Sequence, residues 1–155
     1  MKDLWPSDIG GFDEVAPIAI LKEQASLLGK KMSNIIEGLV QPVEEEWWSS
    51  STNFHYAFFI DAPTLQYSYR LFVMAHPVDF YPIKLKLNQD IAVETFPEAD
   101  NNQIITLQDE DQFINALSKV FGARKTRRVI GSLLAQSGAL SNRVSEIPTE
   151  DDIPF

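Results

Sequence analysis

The stretches FHYAFFID (residues 54–61), YSYRLFVMAH (67–76) and YPIKLKLN (81–88) follow one another closely in the chain, separated by short turn sequences. Each is rich in aromatic and β-branched residues that alternate in polarity, which is typical of β-strands. Pro63 and Pro77 stand in the two intervening turns. Three such strands in succession predict an antiparallel meander, and we expect the rest of the chain to pack against it.

The polarity of the later stretches predicts where each strand lies in the sheet. Residues 67–76 carry bulky side chains at odd and even positions alike, so this strand is expected at the centre, covered on both sides. Residues 81–88 alternate between apolar and polar side chains, which favours a half-exposed edge strand. With a weaker fourth strand over 91–96, the prediction is a sheet of three to four strands.

Helical periodicity precedes the predicted strands. Pro17 suits a first helical turn, and Gly38 with Pro42 supplies a stop. Between them, apolar residues recur every three or four positions, at Ile18, Leu21, Ala25, Leu28, Met32, Ile35, Ile36 and Leu39. This spacing predicts a long N-terminal helix of about six turns.

A pair of helices is predicted after the strands. Asp109 is a suitable N-cap, with Gln112 three residues later to complete a capping box. The helix that starts there is expected to close at Gly122. A second helix is predicted from about 125 to 136, before the stop at Ser137-Gly138.

Length and composition fit one domain. The chain has 155 residues, a length sufficient for one domain with its own core but too short for two. Hydrophobic residues make up 45% of the chain and charged residues 23%. We predict an N-terminal arm at 1–16, a single α+β domain at 17–138 and an acidic C-terminal tail at 139–155. No apolar run has the length of a membrane span and the N-terminus lacks a signal-peptide pattern, so a cytoplasmic protein without membrane contact is expected.

Few residue types are available for catalysis or metal binding. The chain has no cysteine, which excludes disulfides, thiolate zinc sites and cysteine nucleophiles, and its two imidazoles are His55 and His76. Either histidine could act as a base with Asp61 or Asp79 as its carboxylate, and Ser68 or Tyr69 could act as the nucleophile or acid. No catalytic motif in the sequence brings these residues together. We therefore expect a protein that is not an enzyme and that carries no metal or cofactor.

Positive charge is concentrated in the sequence ARKTRR (123–128), although the net charge of the chain is −9. These basic residues stand near the start of a predicted helix, where the helix dipole disfavours cations, so an acidic group is expected to compensate them. The alternatives are a nucleic-acid phosphate, an acidic partner, or the chain's own acids in 94–111 or in the tail. The candidate anion-binding residues are Arg124, Lys125, Arg127 and Arg128.

The tail lacks helical and strand periodicity and finishes with EDDIPF (150–155). In such a segment a proline limits the entropy lost on binding, an aromatic side chain fills a pocket, and carboxylates meet basic groups. The tail therefore has the chemistry of a docking motif. The candidate partner-binding residues are Asp151, Asp152, Ile153, Pro154 and Phe155.

The sequence EDDIPF resembles the acidic C-terminal tip of bacterial single-stranded DNA-binding proteins. In that family the tip recruits replication, recombination and repair proteins, and its phenylalanine enters a pocket rimmed by basic residues. The resemblance covers 151–155. The body departs from the family, because it has fewer predicted strands than an oligonucleotide-binding barrel needs and lacks a long linker rich in glycine and glutamine. The resemblance therefore implies shared partner proteins, and neither a shared fold nor DNA affinity.

Three hypotheses for the function follow. The first is a non-enzymatic interaction protein of bacterial DNA metabolism that docks through 151–155 onto proteins that read the single-strand-binding-protein tip. The second is a nucleic-acid binder that uses the basic residues of 124–128, with the acidic tail as an internal competitor. The third is a small acidic chaperone or immunity-type protein that masks a basic partner, which the net charge of −9 would suit.

Overall fold

The computed structural model describes residues 1–44 and 53–145 of the chain. Within these residues lie four α-helices and five β-strands, with a turn of 3-10 helix at Pro63–Leu65. In chain order the elements are α1 (Pro17–Lys31), β1 (Glu37–Pro42), β2 (Phe54–Ala62), β3 (Tyr67–His76), β4 (Ile83–Leu87), α2 (Gln89–Thr95), β5 (Ile104–Leu107), α3 (Glu110–Gly122) and α4 (Arg124–Ser145). The predicted α+β class is confirmed.

The described strands form one antiparallel sheet in the order β1-β2-β3-β4-β5, so each strand pairs with its neighbours in the sequence. This is the predicted meander, extended by one strand at each edge. β3 lies at the centre, as predicted, and its residues from 71 to 76 are all buried. The hydrophobic core is therefore built on the middle of the sheet.

The helices that form the site described below lie on one face of this sheet. Phe58 on β2 is paired with Phe72 on β3, and side chains of paired residues point to the same side of a sheet. The ring centroid of Phe121, at the end of α3, lies 5.3 Å from the ring centroid of Phe58 and 6.4 Å from that of Phe72. Gly38, which is paired with Ile60, faces α1. α1 and the corner between α3 and α4 thus lie against the same face of the sheet.

The predicted six-turn N-terminal helix is wrong beyond Lys31. The helix begins at Pro17 as expected but ends at Lys31, because Ser33 and Asn34 adopt the left-handed conformation, with φ of 52° and 61°. The backbone N–H of Asn34 then donates to the carbonyl of Gly29 at 2.8 Å, which closes the helix. The chain reverses at this turn and continues as β1, an edge strand that helical periodicity did not reveal.

Two expectations about the other edge of the sheet are also corrected, and a strand that was not predicted lies there. The weak strand over 91–96 lies instead in helix α2, because the side chain of Asn88 caps this helix by accepting from the N–H of Asp90 at 2.9 Å. The group 104–107 forms a strand, β5. β4 pairs with β5 on its outer side, so it is an inner strand and not the edge, although its alternation of buried and half-buried residues agrees with the prediction.

The predicted C-terminal helical pair is confirmed, with a longer second helix. Asp109 caps α3 by accepting from the N–H of Gln112 at 2.8 Å, and the Gln112 side chain accepts from the N–H of Gln108 at 2.8 Å. The predicted stop at Ser137-Gly138 is wrong, because α4 continues to Ser145. Ser137 is buried, and Gly138 lies inside the helix. Of the described helices, none combines the length and the apolar composition needed to cross a lipid bilayer.

Gly38 sets the distance between α1 and β1, which yields the first testable prediction. A Cβ at this position would lie 2.4 Å from the Cα and 2.6 Å from the Cβ of Ala25, far inside contact distance. We expect Gly38→Ala to lower the free energy of unfolding by about 1–3 kcal/mol, the usual cost of overpacking. Chemical denaturation monitored by circular dichroism measures the change.

Gly138→Ala is the matched control for this substitution. A Cβ there meets nothing within 4 Å, and the residue lies inside α4. The same chemical change should therefore raise the free energy of unfolding by about 0.5–1 kcal/mol, because alanine favours a helix more than glycine does. Equal effects of the two substitutions would contradict a specific contact between α1 and β1 at Gly38.

Candidate functional site

A groove with a volume of about 500 Å³ runs between α1 and α4 over the sheet. Its floor is formed by apolar side chains of β2 and β3, and its walls by apolar side chains of α1 and of the α3–α4 corner. Two cationic residues, Lys31 and Arg127, line it together with Gln24. The apolar lining consists of Leu27, Leu28, Met32, Phe58, Ile60, Leu71, Phe121, Ile130 and Leu134.

The groove exists because the two helices are held at different places on the sheet. α1 packs on β1 at the edge, whereas α4 packs on β2 and on the 3-10 turn that follows it. Gly131 on α4 presents no side chain toward the gap, since a Cβ there meets nothing within 4 Å. Leu27 on α1 remains 46% exposed. Apolar side chains that remain exposed beside an open groove are typical of a binding site.

The basic residues at the start of α4 are compensated by acids of α2. Both carboxylate oxygens of Glu94 accept from the backbone N–H of Arg124, at 2.9 and 3.3 Å, and one lies 3.4 Å from the Arg124 Nε. The Lys125 ammonium lies 3.6 Å from a carboxylate oxygen of Asp90. Glu94 therefore places a negative charge at the positive end of the helix dipole. Arg124 thus pairs with Glu94, one of the acids of 94–111, whereas Asp90, the partner of Lys125, lies outside both stretches in which a compensating acid was expected.

The other two basic residues point away from each other. Arg127 lines the groove beside α1, whereas Arg128 lines a shallower cavity on the other side of α4, together with Asp90 and Glu94. Thr126, the residue before Arg127, is buried, and its hydroxyl donates to the carbonyl of Val120. The four candidate anion-binding residues are thus not one continuous patch. The helix divides them between two surfaces.

Ser68, Asp61, Tyr69 and His76, four of the candidate catalytic side chains, take part in hydrogen bonds within the fold. The Ser68 hydroxyl donates to Asp61, and the Tyr69 hydroxyl accepts from the Asn88 side chain at 2.9 Å. His76 is 4% exposed, and its Nδ1–H donates to the carbonyl of Pro77 at 2.7 Å. Burial lowers the pKa of His76, and the nearby His55 lowers it further, so this imidazole stays neutral at neutral pH.

A second group of titratable residues lies near the start of α3. Burial raises the pKa of Tyr81 to about 12, with smaller contributions from the negative charges of Glu110, Glu14 and Asp109. This phenol therefore keeps its proton at neutral pH. Within the described ranges, 1–44 and 53–145, no three histidine, aspartate or glutamate side chains come together in a way that would hold a metal ion.

The docking residues predicted in the tail, Asp151, Asp152, Ile153, Pro154 and Phe155, lie outside the described residues. The groove, conversely, was not predicted. A signal for it was present, because Leu27 stands next to Leu28 and Leu134 next to Leu133, which widens each apolar stripe beyond one helical row. The sequence does not reveal that these two widened stripes face each other.

No protein-family model, no curated protein and no solved structure matches this chain. The chemistry of its own residues therefore carries what is inferred about its function.

The contact of Glu94 with α4 generates the second prediction. We expect Glu94→Ala to lower the free energy of unfolding by about 0.5–2 kcal/mol, because the start of α4 loses both its acceptor and its compensating charge. Denaturant titration measures this change.

Arg124→Ala is the control for the Glu94 substitution. It removes a guanidinium whose side chain is 94% exposed but keeps the backbone N–H that Glu94 accepts from. This variant should lose less than about 0.5 kcal/mol, because exposed ion pairs contribute little. If Arg124→Ala costs as much stability as Glu94→Ala, the stabilising contact is the surface ion pair and not the backbone hydrogen bond.

Proposed function

We propose that this chain is a non-enzymatic interaction protein of bacterial DNA replication or repair. Its α+β body serves as a scaffold, and segment 151–155 docks onto partner proteins that read the acidic tip of single-stranded DNA-binding proteins. The observation that carries the proposal is the composition of this segment, in which two aspartates stand directly before Ile153, Pro154 and Phe155.

Each residue type in the segment suits a short linear docking motif. Proline restricts the free peptide, so less conformational entropy is lost when it binds. A phenylalanine that enters a pocket supplies a large buried area, and aspartates beside it meet basic side chains at the rim of that pocket. A partner with an apolar pocket and a basic rim would therefore recognise the segment.

The path of α4 supports the proposal. The last buried residue described on this helix is Ser137, and residues 139–141 are exposed. The helix continues to Ser145, which lies about 12 Å beyond Ser137 at 1.5 Å per residue. The start of the tail is thus carried away from the core, at a place where a partner protein has room to approach it.

The two other hypotheses have less support. Arg124 and Lys125 contact Glu94 and Asp90, and these carboxylates would repel a nucleic-acid backbone at the same surface. A chaperone or immunity-type role rests on the net charge of −9 alone. We therefore favour docking through the tail.

Capture of partners from a bacterial lysate tests the proposal. We expect the full-length protein to retain replication or repair proteins, identified by mass spectrometry, and Phe155→Ala to lose them by roughly tenfold or more, as for a hot-spot residue worth about 2 kcal/mol. A free peptide with the sequence EDDIPF should displace the same proteins, whereas a peptide of scrambled sequence should not.

Two control variants accompany this measurement. Leu140→Ala removes another exposed apolar side chain of the same region and should leave the capture unchanged. Arg127→Glu combined with Arg128→Glu should not reduce this capture, while abolishing any salt-sensitive capture of nucleic acid. The proposal is contradicted if Phe155→Ala retains the same proteins in the same amounts as the unchanged chain.

A further inference from the structure

We propose that the groove between α1 and α4 is a binding site for an extended peptide that combines apolar side chains with carboxylates, and that its occupant is segment 146–155 of the same chain. The docking segment would then have two alternative binding sites, one in the partner and one in its own body. Occupancy of the groove is independent of the proposed function. Its regulatory consequence, given below, rests on that function.

The charge of the groove selects an acidic occupant. Among the described residues that line it there is no aspartate or glutamate, whereas Lys31 and Arg127 are both present. The cavity on the other side of α4 contains Arg124, Lys125 and Arg128, but the carboxylates of Asp90 and Glu94 offset two of these three positive charges and weaken its attraction for an acidic peptide. The neighbouring cavity that Lys125 and Arg128 line has more polar walls, which include Tyr67, Tyr69 and Gln136. Segment 146–155 carries four carboxylate side chains, at Glu146, Glu150, Asp151 and Asp152, and no basic residue.

The apolar character of the groove selects the same occupant. Leu27, Leu28 and Met32 line one wall, and the aromatic rings of Phe58 and Phe121 lie in the floor and the opposite corner. A volume of about 500 Å³ falls within the range of roughly 300–1,000 Å³ that is usual for ligand sites. The segment supplies matching side chains in Ile153, Pro154 and Phe155.

The segment is long enough to reach the groove. Along α4, Ser145 lies about 16 Å from Leu134 and about 27 Å from Arg127, at 1.5 Å per residue. Ten further residues follow Ser145, up to Phe155. In extended form they span roughly 33 Å, so a chain that doubles back along α4 covers the whole groove.

Intramolecular binding would withhold the docking segment from partners. A ligand tethered through a short connection has an effective concentration in the millimolar range, so a weak intrinsic affinity is sufficient to fill the groove. A partner protein then competes with the groove for the same residues. Closing the groove should therefore increase partner capture by the full-length chain.

A spin label tests this inference in the full-length protein. Because the chain has no cysteine, Thr149→Cys provides a single attachment site for a nitroxide. We expect strong paramagnetic broadening of the backbone amide signals of Leu27, Lys31 and Gly131, and much weaker broadening at Thr106, which lies on the far strand β5. Equal weak broadening at all four amides would overturn the proposal.

Filling the groove provides the first matched pair of variants. Gly131→Trp places a large side chain in open space at the groove wall, whereas Ser132→Trp places it on the other side of the same helix. Broadening at Leu27 and Lys31 should disappear in the first variant and persist in the second. Persistence in both variants would overturn the proposal.

Charge exchange provides a second pair that does not depend on fitting a tryptophan. Lys31→Glu with Arg127→Glu should abolish the broadening at Leu27. Adding Asp151→Lys and Asp152→Lys to the same chain should restore it, which a general loss of structure would not allow. Unchanged broadening after the first double substitution would overturn the proposal.

A mixed sample distinguishes the same chain from a second copy as the source of the segment. Spin-labelled chains without isotope are mixed with isotope-labelled chains without a spin label, and we expect no broadening. Broadening in this mixture would overturn binding within one chain. Failure of the inference and failure of the proposed function give different results. If the inference fails, the expected broadening at the groove amides is not seen, while partner capture still depends on Phe155. If the proposed function fails, the broadening is seen, but partner capture does not depend on Phe155.

Discussion

The packing of Phe121 across Phe58 and Phe72 is the contact on which the arrangement of this protein depends. It joins the corner between α3 and α4 to the strands β2 and β3, and it fixes where α4 begins. The close approach of Gly38 to Ala25 fixes α1 over the edge strand β1 independently. Because these two anchors lie apart on the same face of the sheet, the helices cannot close over it, and the apolar groove between them is the result.

Electrostatics then gives the two sides of α4 different properties. On one side, Arg124 and Lys125 contact Glu94 and Asp90 of α2, so the charges are largely compensated within the fold. On the other side, Arg127 and Lys31 line an apolar groove without neighbouring carboxylates among its described lining residues. The basic residues of 124–128 are continuous in the sequence but have two different roles in the fold. Arg124 and Lys125 form ion pairs with α2, whereas Arg127 gives the groove a positive charge that suits an acidic ligand. The acidic, apolar tail matches the second surface in charge and in chemistry.

The parts of the fold that depend on local signals could be predicted from the sequence. These include the meander over 54–88, the central position of β3, the start of α1 at Pro17 and the cap of α3 at Asp109. The end of α1 could not be predicted, because the apolar residues continue at helical spacing into β1. The left-handed turn at Ser33 and Asn34, which ends the helix, leaves no mark in that pattern. The concentration of basic residues in 124–128 is visible in the sequence, but their division between two surfaces depends on where α1 and α2 pack beside α4. The groove itself arises from the spacing of two distant helices, which no local pattern encodes.

The claim that a basic-rimmed apolar groove recognises the acidic tail is tested most directly by a binding titration. A fluorescent peptide with the sequence of residues 146–155 is added to the full-length Phe155→Ala protein, whose own tail competes less strongly. We predict saturable binding that the unlabelled peptide displaces, and that the added substitutions Lys31→Glu and Arg127→Glu abolish. Binding that does not saturate, or that a peptide of the same composition in scrambled order reproduces, would contradict the claim.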